Sequence, residues 1–443
     1  MRRQQTLALN TSMKIALQAK RTLALSALSL ALIPSCASPQ ETWWETDPYS
    51  QVRPFVRPEG TLLIAGGAVK AEGPIFPRFF LEANKAAERL GHGVTRVEII
   101  PTASGDPAGS LKHNWENFAK VAPAAELGGL PLAADDQESA FDPTVVARME
   151  GASALWFTGG DQSRIMKLFR RGSTPSDAAL ESEGHAPHPI HSAAYRMQIE
   201  GGLVGGSSAG AAIMSDNMIT GGRSEKALLH GHGKDGVSTS KGMGYFPFGI
   251  VDQHFLARGR LGRLLVATAA HGHRYGFGVE ENSGMIVTLG AAPMIEVLGA
   301  SGLCVLDMGP NHGSLLTVGG VPVSPGSFPD PWEFEISLLG TGDRWDPLTG
   351  KAIAHSDRVP LPLPETSPVP ETEPLDPWDS DALEIAIRRL SFNPETPQVL
   401  NSKLHRVELI ARANTRFLIN SSQSKDLFAS KILITISKSE PTR

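Results

Sequence analysis

Four short apolar runs recur along the first half of the chain, each closed by glycine or small polar residues. They are Thr61 to Ala65, Val97 to Ile100, Ala154 to Phe157, and Leu203-Val204. Runs this short and mostly apolar, interrupted only by Thr61 and Glu98, suit strands buried on both faces. Between them the pattern turns helical, over Pro77 to Leu90, Trp115 to Val121 and Ser163 to Phe169. Strands alternating with helices predict an α/β fold of three layers, a mostly parallel sheet with helices on both faces. In such sheets the loops at the carboxyl ends of the strands gather the chemistry. Ser104, Gly160-Asp161-Gln162 and Ser208 fall at such ends. Further on, apolar residues resume at helical spacing after Leu261, and Gly276 to Val279 ends an apolar strand. Met294 to Gly299 and Gly302 to Asp307 read as hairpin strands, and Glu335 to Asp343 as a closing edge strand.

The pattern also divides the chain. Arg2, Arg3, Lys14, Lys20 and Arg21 precede the apolar run Thr22 to Ile33 with no acidic residue among them. That run is too short to span a bilayer with ease and has the form of a signal-peptide core. Ile33-Pro34-Ser35-Cys36 follows, similar to a lipobox, so residues 1–36 read as a lipoprotein-type signal with Cys36 the lipidated residue. Residues 37–58 form a tether, 59–354 the catalytic domain, 355–380 a linker rich in proline and acids, and 381–443 an extension without a motif. The stretch from Arg171 to Gln198 reads as a surface insertion. Its three histidines, His185, His188 and His191, sit among prolines and alanines without an acid in ligand register, which favours the insertion over a zinc site.

Composition narrows the function. Of 443 residues, 41% are hydrophobic and 20% charged, as in a soluble globular protein. A formal net charge of −5 offers no basic footprint for nucleic acid. The two cysteines, Cys36 and Cys304, cannot make a disulfide framework, and with Cys36 lipidated Cys304 is a small buried residue. The glycine-rich loop His230 to Gly236 matches no nucleotide-binding spacing.

Three stretches carry candidate chemistry. Gly206-Ser207-Ser208-Ala209-Gly210 has the form G-x-S-x-G, which marks a strained strand-to-helix turn, a nucleophile elbow, with its serine at the tip. The bland alternative is a glycine-rich turn with incidental serines. Asp252-Gln253-His254 is followed by Arg258, Arg260 and Arg263, where arginine forks could bind carboxylates or simply face solvent. Gly278-Val279-Glu280-Glu281-Asn282 sets two carboxylates at a strand end, and either glutamate could orient a histidine.

Together with Thr158 to Gln162, these stretches resemble the cyanophycinases and the related aspartyl dipeptidases, over about residues 60–350. The Asp-Gln-His-Phe block with its arginines points to cyanophycinase. The resemblance implies a fold like the class I glutamine amidotransferases and a serine peptidase with Ser208 as nucleophile, His254 as base and Glu281 as acid. It implies an oxyanion hole from Gly159, Gly160 and Ala209, and substrate contacts from Gln162, Asp252, Gln253, Arg258, Arg260 and Arg263. No metal or other cofactor is implied. The implied substrate is cyanophycin, a polyaspartate with arginine joined to each side-chain carboxyl, cut to β-aspartyl-arginine dipeptides. Two alternatives stand beside this: a peptidase of other aspartyl or isoaspartyl peptides, and a non-catalytic lipoprotein that binds acidic polymers. The expected location is outside the cytoplasm, in the periplasm, at the outer membrane or extracellular. The membrane is met only through a lipid anchor, and a homodimer is left open.

Overall fold

The computed structural model describes residues 59–170, 187–300, 302–309, 317–318, 321–322, 329–361, 374–420 and 423–439. The signal, the lipidation site Cys36, the tether and His185 lie outside them.

The first half builds a sheet as the apolar runs require. Its elements are β1 (Thr61–Ala65), α1 (Ile75–Arg89), β2 (Arg96–Ile100), α2 (Pro107–Val121), β3 (Glu126–Gly129), α3 (Pro143–Glu150), β4 (Ala154–Phe157), α4 (Gln162–Phe169), α5 (Pro189–Ile199), β5 (Leu203–Ser207) and α6 (Ala209–Ala212). Strands β1, β5, β4, β2 and β3 pair in that order, all parallel. Alternation sends Leu62 and Ile64 into one core and Leu63 and Ala65 into the other, so both faces are covered. On the second face α1 lays down Phe76, Phe79 and Phe80 at helical spacing. They meet Phe118 of α2 and Trp156 of β4 at ring separations of 5.0 to 5.6 Å. Helix starts follow their caps: Asp106, Asp142 and Asp161 each accept from a first-turn backbone N–H, and proline follows directly at Pro107 and Pro143.

The chain continues through β6 (Asn217–Gly221), α7 (Ser224–His230), β7 (Ser238–Lys241), β8 (Ile250–Gln253), α8 (Leu261–Ala270), β9 (Tyr275–Val279), β10 (Gly284–Thr288), β11 (Met294–Leu298) and β12 (Leu303–Asp307). After the short pair β13 (Thr317–Val318) and β14 (Val321–Pro322) come β15 (Trp332–Leu339), β16 (Arg344–Asp346), β17 (Lys351–Ile353), β18 (Arg358–Pro360), α9 (Ala382–Phe392), β19 (Gln398–Asn401), β20 (His405–Ile410), β21 (Arg416–Asn420) and β22 (Gln423–Lys438).

The expected single, mostly parallel sheet needs correcting. Among the described residues there are two nine-stranded mixed sheets. The first extends its parallel half antiparallel through β10, β11, β16 and β17. The second runs β18, β21, β22, β15, β12, β9, β8, with β20 and β19 joined to β22, and is antiparallel apart from β8 with β9. The stretches read as one hairpin part company: β11 joins the first sheet and β12 the second. The strand read as a closing edge, β15, is interior, flanked by β12 and β22. The second change comes from the C-terminal region. Residues 381–443, expected as an appended extension, supply β22 along one side of β15 and α9 over the sheet. Leu383, Ala386, Ile387 and Leu390 share a buried core there with Phe334, Ile336 and Leu338. Cys304 lies in that core, its thiol pushed up to about 12 by burial. Arg358 ties the same region to the first sheet by pairing, fully buried, with Asp343 and Asp426.

The surface insertion also needs correcting where it is described. His188 and His191 are buried at the start of α5, not exposed. His188 Nδ1 lies 2.7 Å from the Leu168 carbonyl, and His191 Nε2 lies 3.2 Å from the Met243 carbonyl. Pro189 at the first helical position starts the helix that the loose composition hid.

Candidate active site

The G-x-S-x-G turn joins β5 to α6, and its glycines are sterically required. A Cβ on Gly206 would lie 2.4 Å from the Gly210 carbonyl oxygen, and one on Gly210 would lie 2.2 Å from that of Phe157. Between them Ser208 is held at φ 54°, ψ −107°, a conformation that side-chain-bearing residues rarely adopt. Three other non-glycine residues near it share positive φ: Ala68 at 47°, His254 at 48° and Asn282 at 49°. Each follows the carboxyl end of a strand, β1, β8 or β9. Strain of this kind persists only where surrounding contacts enforce it, and it gathers at functional sites.

The enforcing contacts run between the two sheets. His254 N–H donates to the Gly66 carbonyl at 2.9 Å, Asn282 N–H to that of Gly67 at 2.7 Å, and Gly66 N–H to that of Ser283 at 3.0 Å. Asn282 Oδ1 accepts from the Lys70 backbone N–H at 3.0 Å. Gly67, at φ 116°, lies flat against the imidazole, where a Cβ would stand 2.2 Å from His254 Cε1. The first sheet therefore presents Ser208, and the second presents His254 and Glu281, across a seam fixed by backbone hydrogen bonds.

Ser208 Oγ lies 2.9 Å from His254 Nε2, and His254 Nδ1 lies 2.6 Å from Glu281 Oε1. The carboxylate fixes the tautomer: Nδ1–H donates to Glu281, leaving Nε2 to accept from the hydroxyl. His254 is buried, and burial holds its pKa below the usual imidazole range. Arg258 and Arg260 push the same way, and Glu281 opposes them. A neutral imidazole facing a hydroxyl can serve as a base.

The choice between the glutamates is a matter of placement. Glu281 faces His254. Glu280 turns the other way and accepts backbone N–H groups from Leu256 and, at 3.1 Å, Ala257. Burial raises its pKa, the backbone bonds oppose that, and nearby Asp381 adds to it. Glu280 thus clamps the loop after His254. Ser224 clamps the far end of that loop, its hydroxyl donating to the Gly259 carbonyl and accepting from the Gly262 and Arg263 N–H groups. The C-terminal region adds a third clamp. Asp381 N–H donates to the Leu256 carbonyl at 2.9 Å, and a Cβ on Gly259 would lie 2.1 Å from the Trp378 carbonyl oxygen.

The remaining expected site residues divide by what their polar atoms already do. Gly159 backs onto the serine, where a Cβ would lie 3.4 Å from Ser208 Cβ. Gly160 turns beside it at φ 146°. Ala209 opens α6, where a helix leaves N–H groups without an intrahelical partner. Asp252 and Arg263 are a correction: they are not open to a ligand. Asp252 is fully buried, and Arg263 Nε donates to its Oδ2 at 2.7 Å while Nη2 donates to Oδ1. Arg260 Nη1 donates to the Gln253 carbonyl and sits 3.4 Å from Asp252, and burial lowers its pKa to about 10. Gln162 Nε2 donates to the Ile219 carbonyl at 2.8 Å. Gln253 is buried, and its Oε1 has no partner among the described residues. Arg258 is exposed beside His254 and carries no ion pair among the described residues, so of the three arginines it is the free cation. Asp161, beside Gln162, caps α4 by accepting the Ser163 backbone N–H at 2.9 Å. Sequence reasoning gave no role to Gly67 or Asn282, and it offered Glu280 only as a possible partner of the histidine; the Gly66-Gly67 pair closing a buried strand was a visible signal.

No family model matches the chain. Among curated proteins it is similar to the cyanophycinase of a Nostoc species, 30% identical over 248 residues, covering 56% of this chain and 72% of that protein. It is also similar to the cyanophycinase of Geminocystis herdmanii, 28% identical over 262 residues, covering 58% and 85%. Among solved structures, a peptidase from an acI-B1 actinobacterium aligns at 18% identity and a TM-score of 0.40, covering 57% of this chain and 91% of that one.

Proposed function

The chain belongs to the cyanophycinase family, and on that premise we propose that it is an exported serine-type exopeptidase that cuts cyanophycin to β-aspartyl-arginine dipeptides. The observation that carries this reading is the continuous relay of 2.9 and 2.6 Å from Ser208 through His254 to Glu281. In the proposed reaction His254 Nε2 takes the Ser208 proton as Oγ attacks a peptide carbonyl. Glu281 stabilises the imidazolium that forms. The oxyanion is received by backbone N–H groups of Ala209 and of the Gly159-Gly160 turn. His254 then gives its proton to the departing amine, leaving an acyl-enzyme. Water, deprotonated by the same imidazole, attacks the ester, and Ser208 recovers its proton.

The positive φ of Ser208 and the two crowded glycines support reading the turn as a nucleophile elbow on a class I glutamine amidotransferase-like fold. Arg258 would receive a substrate carboxylate, with Arg260 behind it. Export rests on the N-terminal charges, the apolar run and Cys36. Mass spectrometry of the mature N-terminus tests it, a diacylglyceryl group on Cys36 being the expected result.

The central test pairs product analysis with a fluorophosphonate probe. The parent protein releases β-aspartyl-arginine from cyanophycin and is labelled at Ser208. Ser208→Ala folds, is not labelled and releases none. Turnover by Ser208→Ala equal to the parent would reject the mechanism. Release only from short aspartyl or isoaspartyl peptides would move the substrate to that class.

A further inference from the structure

A second charged cleft lies at the other end of β9 from Glu281. It has a volume of about 850 Å³, within the range of sites that hold ligands. Strand pairing fixes its place. Val279 pairs with Leu303 beside the triad, and Tyr275 pairs with Asp307 at the cleft. Four residues of strand separate the two ends, about 13 Å. The face of the second sheet forms the floor, and the β16–β17 hairpin of the first sheet forms a wall.

The charges in this cleft are unlike those of the whole chain. Overall the chain carries −5, yet the cleft holds five cations against three carboxylates. One pair is fixed: Arg274 grips Asp307 through two bonds of 2.8 and 3.0 Å. A second is loose, with Arg412 3.9 Å from Glu335. Lys351, Arg416 and Lys431 carry no ion pair among the described residues, nor does the carboxylate Glu333. Arg416 is steadied over the Phe428 ring at 5.9 Å. The cleft thus offers unpaired cations in excess beside an unpaired acid. Two of the three unpaired cations, Arg416 and Lys431, come from residues 381–443, past the stretch that resembles the peptidase family.

We propose that this cleft is a second binding site for a long peptide polymer bearing both carboxylates and cationic groups, holding one stretch of chain while another enters the triad. The identity of the polymer, cyanophycin, rests on the peptidase reading above. Carboxylates of the held stretch meet Lys351, Arg416 and Lys431, and its cations meet Glu333. Two linked contacts raise avidity by supplying a high local concentration of scissile ends. The gain depends on length. At about 3.3 Å per residue, a chain of three units cannot cover 13 Å and fill both sites.

The test uses the full chain carrying Lys351→Glu and Lys431→Glu, both exposed positions outside the triad. In a Ser208→Ala background, co-sedimentation with cyanophycin granules is expected to weaken about tenfold or more, a fraction of the roughly hundredfold or greater gain that a linked second contact gives, since Arg416 is left in place. In the active protein, kcat/KM on a trimer of the β-aspartyl-arginine unit stays within about twofold of the parent, and the preference for granules over trimer collapses. Unchanged granule binding would overturn the proposal. So would a defect that appears only with vesicles containing anionic lipid, which would make the cleft a membrane-facing site. Failure of the parent to cut either substrate would strike the peptidase reading alone, because granule sedimentation still decides the cleft.

Discussion

Gly67→Ala is the sharpest probe of the seam between the sheets, because it adds one methyl group and touches no triad residue chemically. The new Cβ would stand 2.2 Å from His254 Cε1 and 2.3 Å from Nε2, where ordinary van der Waals contact begins at 3.4 Å. Moving from 2.2 to at least 3.4 Å requires the ring to retreat by about 1.2 Å. The ring is buried and tied to Glu281 at 2.6 Å, so retreat opens the 2.9 Å bond to Ser208 well past hydrogen-bond reach. A misplacement of about 1 Å at a reacting group costs on the order of a hundredfold in rate. Alanine at φ 116° adds backbone strain of about 1–3 kcal/mol. The expected outcome is a fall of about a hundredfold or more in kcat on cyanophycin and a matching loss in fluorophosphonate labelling of Ser208. The protein should still unfold cooperatively at a midpoint lowered by a few degrees. Activity within threefold of the parent, in a protein whose circular dichroism is native, would refute the placement of His254.

Glu281→Gln keeps the shape but loses the charge that fixes the tautomer, and kcat should drop by up to about 10⁴-fold. Glu280→Gln should leave more activity and shift KM through the Arg258 loop, which steady-state kinetics on both variants would separate. The acid limb of kcat/KM should have its midpoint below the ordinary imidazole value of 6.5, because burial holds the His254 pKa down; a midpoint above 6.5 would contradict that environment. Stability should follow the same sign. The folded chain keeps His271 neutral to about 4 and His191 to about 3, so below about 6.5 the unfolded chain binds more protons. Unfolding free energy from urea titrations should therefore be full above 6.5 and fall as pH drops through 4 toward 3. Asp252→Asn leaves the Arg263 guanidinium, 8% exposed, without its counter-charge. Breaking such a buried pair costs about 3–5 kcal/mol, measurable by the same titrations.

The parallel half of the first sheet was legible because each of its strands is a local fact. Leu62 to Ala65 is apolar at every position, so it has to be buried on both sides wherever it lies. The serine was legible for a similar reason: a glycine on each side of Ser208 permits a turn that no Cβ could make. Glu281 as the partner of His254 came from resemblance and not from pattern, since two adjacent glutamates look alike until something stands beside each. What stands beside Glu280 is the backbone of Leu256 and Ala257, which are near it only because β8 and β9 pair in parallel.

Resemblance also put Asp252, Arg260 and Arg263 within ligand reach, and packing turned two of the three inward on each other. The place of β11, β12 and β15 was beyond local reading. An apolar strand states that it needs partners, and it does not state which. For β15 that choice fell in part to β22, nearly a hundred residues later, whose arrival makes an edge into an interior. The chain by itself determined which groups could do chemistry and which segments had to be buried, because side-chain type and periodicity are properties of neighbours in sequence. The tertiary structure alone decided which of those groups meet, because Ser208 belongs to one sheet and His254 and Glu281 to the other, and only the packing of the two sheets sets the distance between them.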